Sequence, residues 1–379
     1  MGTQGSAGPR LQPEQVLRYS RHLLLPQVGT TGQQRLLDAR VLIVGAGGLA
    51  APVLHYLAAA GVGSLTVVDD DEVELSNLQR QVIHRTRDVG APKVESAARA
   101  VSDINPDVEV HPVFARVDSD NVVPLVAAAD VVVDATDNFT TRFLLNDACV
   151  LLGVPLVWAA INRFDGQLTV WSPGAGPCLR CLFPVQPDPS AVPSCADAGV
   201  LGVLPGLMGT AQAGEVLKLV LGIGEPLIGR LAVFDALSFD WSMLPLAADP
   251  QCAVCRADAS VQFIAAEPVA MCTTEQVEVI GAAAVAQGLQ AGKVRLLDVR
   301  TAAEREIARV DGAEWLPLDE LRAGGMPDDD GRVIVAMCKS GTRSQEAAAL
   351  LVERGRSASS LDGGILAWSQ QVDPSVPLY

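Results

Sequence analysis

The segment Val41-Leu42-Ile43-Val44-Gly45-Ala46-Gly47-Gly48-Leu49-Ala50 constrains the fold more than any other feature of the chain. A β-branched apolar run goes straight into Gly-x-Gly-x-x-Ala, and an alanine-rich stretch follows. This order predicts a buried strand, a tight glycine turn and a helix packed back on the strand. Bare backbone N–H groups and the helix N-terminus then form a ready receptor for phosphate. Leu65–Val68 is the next apolar strand, and Asp69 ends it at the spacing expected of a ribose-binding acid.

The same alternation continues downstream. Strands are predicted at Val41–Val44, Leu65–Val68, Val108–Val113 and Val131–Asp134, with two more between residues 154 and 171. Glu14–Tyr19, Gly32–Leu37 and Gly206–Leu221 read as helical, the last of them buried. Strands alternating with helices imply an α/β fold with a mainly parallel sheet. Asp134 and Asp137 then fall at a strand's carboxyl end, where open α/β sheets bind ligands. A second, smaller α/β unit begins later, with strands Val294–Val299 and Val333–Met337 and a helix Ser344–Arg354. The expected division is a flexible tail at 1–15, a first domain at 16–255, a linker at 256–275 and a second domain at 276–379.

Composition excludes several classes. The chain carries 28 basic and 44 acidic residues, a net charge of −16, and no basic block, which argues against a nucleic-acid surface. It has no run of 18 apolar residues and no secretory pattern, so neither a membrane span nor export is expected. Met1-Gly2-Thr3-Gln4-Gly5-Ser6 fits the loose myristoylation pattern but is set aside as part of the tail. Eight cysteines, four of them in Cys-x-x-Cys pairs, fit metal and thiol chemistry in a reducing cytoplasm.

A polar cluster follows the glycine turn: Asp69-Asp70-Asp71, then Ser76-Asn77-Leu78-Gln79-Arg80-Gln81, then Lys93. The glycine turn alone would suit NAD or FAD. A dinucleotide brings two phosphate charges, whereas ATP brings about four together with Mg²⁺. Arg80 and Lys93 favour the triphosphate, and the absence of a Walker loop turns the reading away from P-loop hydrolysis.

At these residues the chain resembles the adenylating enzymes that activate ubiquitin-like sulfur carriers, the MoeB/ThiF type and the larger E1 family. Arg18-Tyr19-Ser20-Arg21-His22, Ala58-Ala59-Ala60-Gly61-Val62-Gly63, Ser76 to Gln81 and Asp134-Ala135-Thr136-Asp137-Asn138 carry the resemblance over residues 18 to 255. Ala50-Ala51 departs from the Gly-Ser often found there. The resemblance implies a Rossmann-like fold and a reaction of carboxylate with ATP, giving acyl-adenylate and pyrophosphate. It assigns Gly45, Gly47, Gly48, Asp69 and Asp71 to holding the nucleotide. Arg80, Lys93 and a Mg²⁺ on Asp137 would draw charge from the α-phosphate. Ser76, Asn77, Gln79, Gln81 and Asn138 would bind phosphate and ribose oxygens. Arg21 would reach the phosphates across a dimer interface, which implies a homodimer.

Cys178-Leu179-Arg180-Cys181 and Cys252-Ala253-Val254-Cys255 form two knuckles that suit a closed Cys₄ Zn²⁺ site with no catalytic position left open. A redox dithiol is the competing reading. Cys195, in Val192-Pro193-Ser194-Cys195-Ala196-Asp197, fits the cysteine that in related enzymes attacks the acyl-adenylate or forms a disulfide. An idle loop thiol is the alternative.

Cys338-Lys339-Ser340-Gly341-Thr342-Arg343-Ser344 follows a strand and opens a helix, a setting in which backbone N–H groups and Arg343 favour a thiolate or persulfide anion. The loop resembles that of rhodanese domains. Asp298-Val299-Arg300, Glu304, Gly363-Gly364-Ile365 and Trp368 extend the likeness, with Asp298 and Trp368 as scaffold. A cysteine phosphatase would use Cys-x5-Arg, whereas the spacing here is Cys-x4-Arg.

Together the two resemblances imply a thiocarboxylate-forming enzyme. Its partners would be a ubiquitin-like sulfur carrier ending in Gly-Gly and a sulfur donor, either thiosulfate or a cysteine desulfurase. A carrier-docking scaffold with one active half, or an NAD-dependent oxidoreductase fused to a sulfurtransferase, are the alternatives.

Overall fold

The computed structural model describes residues 11–187, 199–256, 259 and 277–379. The chain divides into two compact units, Met1–Glu267 and Pro268–Tyr379.

In the first unit eight strands form one sheet: β1 Arg40–Val44, β2 Ser64–Asp69, β3 Glu109–Phe114, β4 Val131–Asp134, β5 Leu156–Asn162, β6 Asp165–Trp171, β7 Arg230–Asp235 and β8 Asp240–Pro245. Their order is β3-β2-β1-β4-β5-β6-β7-β8. The first five run parallel and the last three pair antiparallel. The β7–β8 pair is absent from the sequence reading. Every side chain of β8 is exposed, so its strand pattern carries no buried face to read.

Alternation along the central strands sends side chains to two cores. Val41, Ile43, Leu65, Val67, Val131 and Val133 face one, together with the helices Ala50–Ala60 and Val203–Leu221. Leu42, Val44, Val68 and Val132 face the other, together with the helix Phe139–Leu152.

β1 lies between β2 and β4, with Val44 opposite both Val68 and Asp134. Gly45, Asp69 and Ala135 therefore emerge at one level, at the point where strand order reverses and a crevice opens. Gly45 has φ +95°, and a Cβ there would sit 2.7 Å from the Ala135 carbonyl oxygen, so the turn requires glycine.

The second unit has five parallel strands in the order β11-β10-β12-β13-β9. They are β9 Val279–Ile280, β10 Val294–Asp298, β11 Glu314–Trp315, β12 Val333–Met337 and β13 Ala358–Leu361. Along β12, Val335 and Met337 face one core, and Ile334, Ala336 and Cys338 face the other. The helix after Cys338 spans Thr342–Glu353, close to the expected Ser344–Arg354. Among the described residues no helix is long and apolar enough to cross a membrane.

Candidate functional site

A cavity of about 790 Å³ opens at the carboxyl ends of β1, β2 and β4. Gly45, Gly47, Gly48, Asp69, Asp71, Arg80, Gln81, Lys93, Asp137 and Asn138 all line it. Five distinct stretches of sequence thus converge on one crevice. Ser76, Asn77, Gln79 and Arg21 do not line it. Asn77 is buried, and its Oδ1 accepts the Glu74 N–H at 3.2 Å, which closes the short turn Leu75–Asn77. Gln79 packs where a Cβ on Gly202 would come within 2.4 Å of its Oε1.

Asp69 braces the glycine turn directly. Its two oxygens accept the Ala46 N–H at 2.7 Å and the Asp71 N–H at 2.8 Å. Burial pushes its carboxyl up, against the pull of Lys93. Lys93 is buried and its Nζ lies 2.7 Å from the exposed Asp71 carboxylate. Arg80 lies on the cavity wall with Nη1 donating to the Ser76 carbonyl at 3.1 Å. Gln81 Oε1 on the same wall is a buried acceptor without a partner among the described residues, a group suited to a ribose or water O–H.

Asn138 caps the helix Phe139–Leu152, its Oδ1 accepting the Thr141 N–H at 2.9 Å. The cap fixes the turn that exposes Asp137 on the cavity wall. The carboxylates that cluster closely enough to share a metal are Asp69, Asp70 and Asp71, and Asp137 stands outside that group.

Several parts of the site were not read from the sequence. Arg142 lines the cavity and is buried on Asp134 at 2.8 Å, with Nη2 donating to the Thr136 and Ala159 carbonyls at 2.9 and 3.0 Å. Its guanidinium lies 5.6 Å from the Trp158 ring centre. Beneath the glycine turn, His84 Nε2 donates to the Ala46 carbonyl at 2.9 Å, while Nδ1 lies 2.9 Å from Ser96 Oγ. Burial pushes this imidazole down, so it is neutral at pH 7. Asp69 and His84 thus hold the N–H and the carbonyl of one turn residue, Ala46. Arg142 lies four residues after the cap Asn138, one turn into the helix Phe139–Leu152. His84 carries no such positional signal.

The Arg18–His22 motif is anchored away from the cavity. Tyr19 is buried, with its hydroxyl 2.8 Å from Asn105 Nδ2, and His22 Nδ1 lies 3.1 Å from Gln33 Oε1. Arg21 remains exposed.

The four knuckle cysteines converge as the spacing predicts. Their sulfurs all lie within 4.8 Å of one another, with Cys178–Cys252 at 3.7 Å and Cys181–Cys255 at 3.4 Å. Four thiolates around one Zn²⁺ at about 2.3 Å would stand about 3.8 Å apart. Asp147 accepts from Arg180 at 2.7 and 2.8 Å and ties the first knuckle to the helix Phe139–Leu152. Burial pushes the Cys255 thiol up to about 11, whereas at Cys252 burial is outweighed by backbone N–H groups and neighbouring thiols, which hold it below its ordinary value. Cys195 lies outside the described residues.

In the second unit Cys338 is buried at the end of β12. Its Sγ accepts the Gly341 N–H at 3.1 Å and lies 3.5 Å from Ser344 Oγ. Arg343, expected beside the sulfur, pairs with Glu304 at 2.6 and 2.8 Å. That pair holds the Glu304 carboxyl down at about 2 despite burial. Lys339 sits 5.1 Å from the Tyr379 ring centre. Asp298 and Arg300 form a fully buried pair at 2.7 Å, and Trp368 packs in the core, both in the scaffold role expected of them. A Cβ on Gly364 would come within 2.5 Å of the Cys338 and Lys339 carbonyl oxygens, so glycine there lets the next helix press on the loop.

Residues 19–254 match the ThiF family and residues 281–371 match the rhodanese-like domain. The chain is 42% identical over 380 residues to a probable adenylyltransferase/sulfurtransferase MoeZ of Mycobacterium tuberculosis, covering 97% of this chain and 96% of that one. It is 58% identical over 245 residues to the SAMP-activating enzyme E1 of Haloferax volcanii, covering 65% of this chain and 90% of the other. Among solved structures, E. coli MccB with ATP shares the fold, with a TM-score of 0.56 at 24% identity over 63% of this chain and 74% of that one. The chain belongs to the ThiF family and carries a rhodanese-like domain after its ThiF region.

Proposed function

We propose that the protein is an adenylyltransferase and sulfurtransferase. It adenylates the C-terminal Gly-Gly of a ubiquitin-like sulfur carrier and then replaces the activated oxygen with sulfur, giving the carrier thiocarboxylate. The observation that carries this reading is the convergence of Lys93, Arg80, Asp137 and the glycine turn on one cavity in a chain that also carries a buried loop cysteine.

In the first step a carrier carboxylate oxygen attacks the α-phosphorus of ATP and pyrophosphate leaves with the bonding electrons. Lys93 and Arg80 stabilise the charge that develops, and the braced turn positions the nucleotide without reorganising. Mg²⁺, held by Asp137, would shield the phosphates when bound. In the second step a persulfide on Cys338 attacks the acyl carbon and AMP leaves. A second thiolate, with Cys195 as the candidate, then attacks Cys338 Sγ. The S–S bond of the acyl disulfide breaks and the thiocarboxylate leaves with the electron pair. The enzyme disulfide that results is returned to two thiols by an external thiol reductant. Thiosulfate or a cysteine desulfurase would load Cys338.

Zn²⁺ in the Cys₄ cluster would be structural. A homodimer would let Arg21 reach the partner's phosphates. Support comes from the exposure of Arg21 outside its own cavity and of Leu17, Leu24 and Leu25 in the same segment. The acidic chain with its paired Cys-x-x-Cys motifs fits a reducing cytoplasm, and nothing in its charge favours nucleic acid. The residue ranges 16–255 and 276–379 are the proposed domains, joined by a linker at 256–275.

The test is ATP–pyrophosphate exchange with acidic carriers ending in Gly-Gly, alongside a titration with NADH. Carrier-dependent exchange without NADH binding supports the reading. NADH binding without exchange would favour the oxidoreductase alternative.

A further inference from the structure

Cys338 is 1% exposed, so an anion formed there loses most of its hydration. One backbone donor, the Gly341 N–H, already points at it from 3.1 Å. A side-chain donor, the Ser344 hydroxyl, lies 3.5 Å from the same sulfur. We propose that Ser344 and Ser360 form a buried hydroxyl relay that turns on when Cys338 becomes a thiolate. This deepens the sulfurtransferase reading and rests on it.

The argument is a count of protons. Ser344 is the third residue of the helix Thr342–Glu353, and Ser360 lies on β13 beside β12. Both are fully buried. Ser344 Oγ lies 2.9 Å from the Gly341 carbonyl oxygen, 3.5 Å from Cys338 Sγ and 2.9 Å from Ser360 Oγ. A hydroxyl has one proton, so Ser344 can donate to the carbonyl or to the sulfur but not to both. Ser360 donates to Ser344 in either case.

The carbonyl is the better acceptor when the sulfur is a neutral thiol. When the sulfur is an anion the charge-assisted bond wins. The exchange needs only rotation about the Ser344 Cβ–Oγ bond. It leaves no orphan, because the Gly341 carbonyl also accepts the Gln345 N–H at 3.2 Å. The Ser360 proton polarises Ser344 and strengthens its donation.

In the loading step the Cys338 thiolate attacks the outer sulfur of thiosulfate. The new S–S bond forms as the old one breaks, and sulfite leaves with the electron pair. Cyanide then attacks the terminal sulfur of the persulfide. Its electron pair forms the new C–S bond, thiocyanate leaves, and the pair of the broken S–S bond stays on Cys338 Sγ as the thiolate. Ser344 touches the reacting sulfur and is a catalytic residue. Ser360 acts through it and is a positioning residue.

The experiment measures iodoacetamide alkylation of Cys338 in the full chain as a function of pH, read at the Cys338 peptide by mass spectrometry. Thiosulfate–cyanide sulfur transfer is measured on the same samples. Ser344→Ala is expected to slow alkylation near pH 7 about tenfold and to match the wild type at high pH, where every thiol is ionised. Ser360→Ala is expected to slow it about two- to threefold with the same convergence. Sulfur transfer should fall in the same order. A structural role alone would lower the melting temperature and leave the pH profile in place. A wild-type profile for Ser344→Ala, or for Ser360→Ala where Ser344→Ala does not fold, would overturn the relay. Normal alkylation in a wild-type chain that transfers no sulfur would instead count against the sulfurtransferase reading.

Discussion

The glycine turn after β1 and the cysteine loop after β12 occupy the same place in their sheets, between the end of a parallel strand and the start of a helix. In each unit the neighbouring strand ends in an aspartate buried on an arginine, Arg142–Asp134 beside β1 and Arg300–Asp298 beside β12. The turn and the loop handle charge differently. The first opens a cavity of about 790 Å³ whose lysine is already paired with an exposed acid. The second encloses a single sulfur and ties the nearby arginine to Glu304. A large polyanion needs side-chain cations that can exchange partners, whereas a one-atom anion needs fixed donors at close range. The same strand–turn–helix geometry serves both because it supplies free N–H groups in either case.

The comparison can be broken most severely at the buried pairs. Arg142→Met leaves Asp134 buried without its partner and is expected to destabilise the first unit by about 3 to 5 kcal/mol, read by calorimetry of the full chain. Alkylation of Cys338 should stay normal, and a matching loss there would mean that the two sites are not independent. Lys93→Met is expected to reduce carrier-dependent pyrophosphate exchange by about 10² to 10³ while sulfur transfer from thiosulfate continues. Loss of both activities would contradict the separation of roles.

The smallest effect concerns acid. Glu304 is held at about 2 against an ordinary value of 4.5, so its contribution is fully present above pH 4.5 and is lost as pH falls toward 2. Allowing for the partial exposure of the pair, Glu304→Gln should remove about 2 kcal/mol from the second unit at neutral pH and flatten its acid transition. An unchanged acid transition would show that Glu304 does not set it.

Features carried by contiguous residues were legible in the sequence. The glycine turn, the Asp137-Asn138 turn, both cysteine knuckles and the Cys338 loop all sit where their local patterns put them. What was not legible depends on partners brought together by the sheets. Arg343 reads as a neighbour of the thiol until the fold places Glu304 against it, 39 residues earlier in the chain. His84 meets Ala46 across 38 residues, and Ser360 meets Ser344 across 16. The β8 strand was missed for a different reason, because all its side chains are exposed and give no buried face. Side-chain hydrogen bonds between distant segments leave no periodicity behind, and these are the contacts that hold both sites in shape.

The central claim is that the two units complete one reaction. It is tested most directly by incubating the protein with ATP, Mg²⁺, thiosulfate and a Gly-Gly-ending carrier and weighing the carrier intact. The account predicts a gain of about 16 Da, one oxygen replaced by sulfur, that disappears in Cys338→Ala while pyrophosphate exchange persists. A carrier of unchanged mass despite active exchange, or a gain that survives Cys338→Ala, would contradict it.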